Sequence, residues 1–159
     1  MFIALDAKKN RWNCVEKVPD PSLGPFSCLI CRKAVRLKKG KVMRPHFAHV
    51  TLADCPLHHE SESQEHIELK ASLYRWGKEE TKAEVESYLP EFQQIADLLF
   101  PDQKLALEVQ CSSLSLKRLR ERSDAYRKHG YQVYWLLGEK LWLKKSLSAL
   151  QEGLVYFSQ

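Results

Sequence analysis

Cys28-Leu29-Ile30-Cys31, followed after 14 residues by His46-Phe47-Ala48-His49, is the pattern in this chain most plainly able to do chemistry. Two thiolates two residues apart on a tight turn chelate one metal ion, and a second pair with the same spacing supplies the rest of a tetrahedron. The expectation is a structural zinc site of Cys28, Cys31, His46 and His49. Cys55 is the reserve, and His58 and His59 follow closely enough to replace one ligand. The competing reading, two buried thiols and two surface histidines, requires the double pairing to be coincidence. With four protein ligands no position stays open for a substrate, so zinc would fold a small module rather than perform a reaction.

A second set of residues is acidic. Residues 95–100 and 105–111 read as strands flanking Pro101-Asp102-Gln103-Lys104, a turn-forming segment. A hairpin with that symmetric loop pairs Phe100 with Leu105, and the same register sets Asp97 opposite Glu108. Like charges so placed repel, and their strand neighbours are apolar. A divalent cation between them would turn repulsion into coordination. Gln110, two residues beyond Glu108, shares its face. Upstream, Glu62 and His66 fall in line with Leu69, Leu73 and Trp76 on one stripe of a helix over residues 61–77, opened by Ser61 and Gln64 as a capping box. An acid and an imidazole at the end of a buried stripe need a partner or a metal. Alternatively, Glu62 faces water in the first turn, where the helix dipole favours a carboxylate.

The elements that must position these groups alternate. After the helix come strands over 82–89, 95–100 and 105–111, a basic helix over 115–129 closed by Gly130, a strand over 131–137 and a helix over 141–150. This predicts an α/β fold in two parts, a zinc-binding module at 1–59 and a second domain at 60–159. The basic helix carries Arg118, Arg122 and Lys128; it is either a phosphate-contacting surface or an ordinary solvated face.

The whole-chain numbers agree with a folded protein. At 159 residues, 44% hydrophobic and 28% charged, it can bury a core, which excludes disordered and low-complexity classes. No apolar run approaches a membrane span, and the first residues do not read as a signal peptide, so a cytoplasmic protein is expected. The net charge of +5 hides a partition. Residues 1–60 hold 11 Lys and Arg against 5 Asp and Glu; residues 61–113 hold 5 against 11; residues 114–159 hold 9 against 4. Basic flanks suit a polyanion, and an acidic middle suits a divalent cation.

In their order and spacing, the motifs resemble the competence protein CoiA family, with a nuclease core of the PD-(D/E)xK, restriction-endonuclease-like type (αβββαβ). The resemblance rests on Cys28-Leu-Ile-Cys31, His46-Phe-Ala-His49, Glu62-Ser-Gln-Glu-His66 with Lys70, Ala96-Asp97, Ala106-Leu-Glu108-Val-Gln110-Cys-Ser112, Arg122 with Tyr126, and Tyr134-Trp135. It implies an N-terminal zinc region, a nuclease-like domain and a role in recombination of DNA taken up in natural transformation. Asp97 and Glu108 would then bind Mg2+ or Mn2+, with Glu62, or else Glu65, completing the metal or water shell. Gln110 stands where many members of the superfamily carry Lys; it can orient a water or a phosphate but supplies no charge. The family's proteins are expected to be longer than this chain.

Three functions follow from these readings. In the first, a metal-dependent DNA nuclease, Gln110 and Glu62 position a water and His66 accepts its proton. Arg118, Arg122 and Lys128 hold the backbone of single- or double-stranded DNA. The second is a non-catalytic DNA-binding or recombination-mediator module working with recombination proteins. The third is a zinc-dependent interaction module with purely structural carboxylates.

Overall fold

The computed structural model describes residues 1–51, 55, 62–142 and 146–156, with side chains to Leu154. It is a mixed α/β protein in two compact units, Met1–Ala71 and Ser72–Gln159.

The first unit is built on an antiparallel sheet of five strands in the order β2-β1-β3-β4-β5: β1 (Ile3–Leu5), β2 (Arg11–Asn13), β3 (Phe26–Ser27), β4 (Ala34–Lys38) and β5 (His46–His49). All three residues of β1 are buried, as is Phe2 beside it, so this strand runs through the core rather than along one face. The turn into β2 is pinned by Asp6, whose carboxylate accepts from the backbone of Lys8 and Asn10 and from the side chains of Asn10 and Trp12. These bonds, that from Trp12 foremost, hold its pKa down at about 2. Phe26 and Phe47 meet with ring centroids 5.1 Å apart.

Helix α1 (Gln64–Glu80) follows. Ser61, expected in its capping box, lies outside the described residues; the His66 amide donates to Ser63 Oγ at 3.2 Å instead.

In the second unit, β6 (Glu84–Leu89), β7 (Gln94–Phe100) and β8 (Leu105–Gln110) form an antiparallel meander. β9 (Gln132–Leu137) joins β8 in parallel after helix α2 (Leu116–Lys128). The sheet order is therefore the sequence order. Gly77, in the second half of α1, packs so closely on Phe100 that a Cβ there would lie 2.7 Å from its ring. On the other element, α2, Tyr126 enters a cluster with Leu89, Ala96, Leu99 and Ala106. α2 starts on Ser115, whose Oγ accepts from the Arg118 amide, and stops on Gly130 at φ +77°, where the Tyr131 amide returns to Tyr126 O.

The last helix differs from expectation. Instead of spanning 141–150, the chain makes a 3-10 turn at Glu139–Leu141, and α3 (Ala149–Tyr156) starts later. Ser148 and Gln151 form a reciprocal capping box: the Ser148 amide donates to Gln151 Oε1 at 2.7 Å and the Gln151 amide to Ser148 Oγ at 3.3 Å. The cap, rather than the run of apolar residues before it, sets the start. Among the described residues, no helix is long and apolar enough to cross a membrane.

Candidate metal sites

The first site forms around a turn and a hairpin. Cys28 O accepts from the Arg32 amide and the Cys28 amide donates to Lys33 O, which closes the turn that carries Cys28 and Cys31. The Ile30 amide points at Cys28 Sγ, 3.4 Å away. β4 and β5 then pair with Val35 opposite His49 and Lys38 opposite His46. Ligand atoms of Cys28, Cys31, His49 and Cys55 all lie within 4.8 Å of one another, with Cys31 Sγ 3.3 Å from His49 Nε2. Three thiols and one imidazole at this separation fit the tetrahedral chemistry of zinc.

His46 does not join this group. It is buried, with Nδ1 2.9 Å from Arg44 O. The reason is periodicity: in a strand, residues three apart point to opposite faces, so His46 and His49 cannot aim at the same point. Cys55, the reserve, takes the fourth place. His58 and His59 lie outside the described residues. Burial pushes the Cys28 thiol up to about 12, opposed by the backbone N–H groups of Cys31 and Ile30 and aided by the Cys31 thiol. A cation among the sulfurs opposes that shift, since it binds the thiolate form.

In the same unit Glu62 is largely buried and lies between cations. Its Oε1 pairs with Lys70 Nζ, its Oε2 is 2.5 Å from the Met1 amino group, and His66 Nδ1 is 4.0 Å away. Burial raises its pKa, but Lys70 and the Met1 amine outweigh this and hold the carboxyl well below its usual range. The expected price of an acid on the core stripe is thus met by ion pairing; Glu65 sits in the first turn of α1.

The second site lies in the second unit. The pairs Leu98 with Leu107, Leu99 with Ala106 and Phe100 with Leu105 follow the expected register, whose next step sets Asp97 opposite Glu108. Asp97 Oδ2 accepts from the Val109 amide at 2.9 Å, so its side chain substitutes for a rung of the ladder. Glu108 is fully buried, and both Arg122 Nη2 and Tyr126 Oη donate to the same oxygen, Oε1, at 2.6 Å. Burial is the main cause that lifts the Glu108 pKa, opposed by Arg122 and Tyr126 and aided by Asp97, and the balance stands at about 7. Burial likewise raises the Tyr126 hydroxyl, with Glu108 adding to it. Gln110 shares the face, with Nε2 donating to Ser112 O at 2.7 Å.

Two findings depart from the sequence reading. Arg122, expected at a DNA backbone, turns inward to Glu108 and stacks over Trp135, with Cζ 5.2 Å from the ring centroid. Arg118 and Lys128 remain on the exposed side of α2. The sequence reading also missed Glu86. It is buried and falls between the pairs Val85 with Leu98 and Ser87 with Ala96, which is the position opposite Asp97. Three strands thus carry acids in one row, Glu86, Asp97 and Glu108. Glu86 also adopts φ 51°, uncommon for a residue with a Cβ. The Glu-x-Glu spacing of Glu84 and Glu86 was the available signal, and it needed the β6–β7 register to be read.

Comparison with known proteins adds to this geometry. Residues 62–157 match the family model described as competence protein CoiA, nuclease-like domain, and residues 7–58 match that of the competence protein CoiA N-terminal domain. Competence protein CoiA of Bacillus subtilis (strain 168) is 28% identical over 130 residues, covering 80% of this chain and 35% of that protein. The chain thus spans about a third of the length of this curated relative. No solved structure matches.

Proposed function

Because the chain belongs to the competence protein CoiA family, we propose that it is a divalent-metal-dependent nuclease acting on DNA during natural transformation, in the cytoplasm. The observation that carries this reading is the approach of Asp97 to the part of β8 that holds Glu108: its Oδ2 accepts from the Val109 amide and its charge acts on the buried Glu108 carboxyl. Asp97 and Glu108 are the residues to hold Mg2+ or Mn2+, which would polarise the scissile phosphate and lower the pKa of an attacking water. Arg122 and Tyr126 fix the Glu108 carboxylate so that its other oxygen is oriented before a ligand arrives.

Gln110 orients the water or phosphate by hydrogen bonds, without the charge a Lys would bring. Glu62 and His66 take the water-positioning and proton-accepting roles given by the family resemblance. That assignment rests on motif order and on the match beginning at residue 62. Arg118 and Lys128 hold the DNA backbone from the exposed side of α2. Cys28, Cys31, His49 and Cys55 hold a structural zinc.

Cleavage of single- and double-stranded DNA with Mg2+ or Mn2+ tests the proposal. Asp97→Asn and Glu108→Gln are each expected to lower the rate at least about 100-fold, the scale of losing a principal electrostatic contributor. Retained cleavage in both variants, or none in wild type, overturns it. The Arg122–Glu108 ion pair favours a second reading, a non-catalytic DNA-binding or recombination-mediator module in which Arg122 replaces the cation. Absence of Mn2+ binding together with intact DNA binding selects that reading.

A further inference from the structure

The hairpin of the first unit carries a charge the metal sites do not use. Residues 32–44 contain seven Lys and Arg and no acid. Arg44 pairs with Glu68 at 2.7 Å. Arg32, Arg36, Lys38, Lys39 and Lys41 are exposed and make no ion pair among the described residues. Arg36 and Lys38 project from the same face of β4, about 7 Å apart at the rise of a strand. Opposite them on β5 stand Ala48 and His46, so the facing strand offers no carboxylate. Lys39 acts electrostatically on Asp20, whose pKa is lowered mainly by its bonds to Ser22. An ordinary solvated face mixes both signs; this one concentrates one sign and leaves it uncompensated.

The frame beneath these charges is fixed. Cys28 and Cys31 precede the hairpin and His49 ends it, so the cluster of ligand atoms ties together the hairpin's open end.

We propose that this hairpin is a nucleic-acid-binding surface in its own right, gripping the phosphate backbone of DNA without reading sequence. The choice of DNA rests on the function proposed above. The surface belongs to the zinc module and is additional to the basic side of α2. Arg36, Lys38, Lys39 and Lys41 make the phosphate contacts, each displacing about one counterion.

The test uses the full chain without added Mg2+ or Mn2+, titrated into fluorescein-labelled single-stranded and duplex DNA across a range of salt and followed by anisotropy. In the variant R36A/K38A/K39A/K41A, affinity at about 0.1 M salt is expected to fall at least tenfold. The slope of log K against log salt should become shallower by about 2 to 4. Circular dichroism and metal content report on folding, and the milder R36Q/K38Q variant should give about half the change in slope. Unchanged affinity and slope in both variants overturns the proposal, as does salt-independent binding by wild type. Competition by poly-glutamate as strong as by DNA of equal charge also overturns it, because the surface would then suit any acidic polymer. Cleavage by Asp97→Asn and Glu108→Gln reports on the nuclease reading, and the metal-free affinity and salt slope of the hairpin variants report on this one, so failure of the two stays distinguishable.

Discussion

Glu108 combines a buried carboxyl, a guanidinium and a phenol on one oxygen, and that combination has consequences for pH. Its pKa in the folded, metal-free chain is raised from 4.5 to about 7, chiefly by burial. The folded state therefore holds this proton more tightly than the unfolded one. The stabilisation is fully present below pH 4.5 and is lost as pH rises through about 7. Thermal melting of metal-free protein between these limits should show this decline, and Glu108→Gln should flatten it. Arg122→Met leaves Glu108 buried beside Tyr126 without a cation; unfolding in urea should show a loss on the order of 3 kcal/mol at pH 8, smaller at pH 6, where Glu108 takes up a proton. The inward turn of Arg122 was legible in principle. It stands three residues after Leu119 and four before Tyr126, both fully buried, so helical periodicity puts it on the core side. Reading α2 by its charge rather than its period sent Arg122 to the DNA. Glu86 was less accessible, since its place in the acidic row depends on a strand pairing that the sequence does not mark.

Elements with strong local signals were read correctly. The β7–β8 register followed from a short loop with turn residues at its centre, and the ends of α2 from Ser115 and Gly130. The candidate metal ligands were legible as a group but not as a set. The spacing of His46 and His49 suits one face of a helix, and only the knowledge that they lie on β5 separates them. Cys55→Ala is therefore expected to reduce bound zinc well below one per chain, while His46→Ala keeps it near one; elemental analysis of protein purified without chelator checks both. Treatment with a zinc chelator should weaken DNA binding by the β4–β5 hairpin, because its open end is held by the ligand cluster. Helix α1 supplies a different test. Gly77→Ala drives a methyl group against the Phe100 ring, 2.7 Å from its nearest atoms, and should cost about 1 to 3 kcal/mol in chemical denaturation.

At the scale of the molecule, the charge partition acquires particular addresses. The basic N-terminal third resolves into a hairpin with five exposed cations that make no ion pair among the described residues, and the acidic middle contains Glu86, Asp97 and Glu108. The basic last third divides, with Arg122 facing the core and Arg118 and Lys128 facing solvent. The sequential strand order of the second sheet, β6-β7-β8-β9, carries a consequence for how the protein comes into being. Every neighbour in that sheet is also the next strand along the chain, and β9 alone must return across a helix, α2, before it pairs. Refolding of this unit is therefore expected to begin in the β6–β8 meander and to finish within about milliseconds to seconds, as for other mixed α/β domains. If the proposed zinc site of Cys28, Cys31, His49 and Cys55 forms in the first unit, refolding of that unit is expected to depend on zinc concentration. Trp12 lies in the first unit and Trp76, Trp135 and Trp142 in the second. Stopped-flow fluorescence therefore separates a zinc-dependent phase, abolished by Trp12→Phe, from a faster one that zinc leaves unchanged.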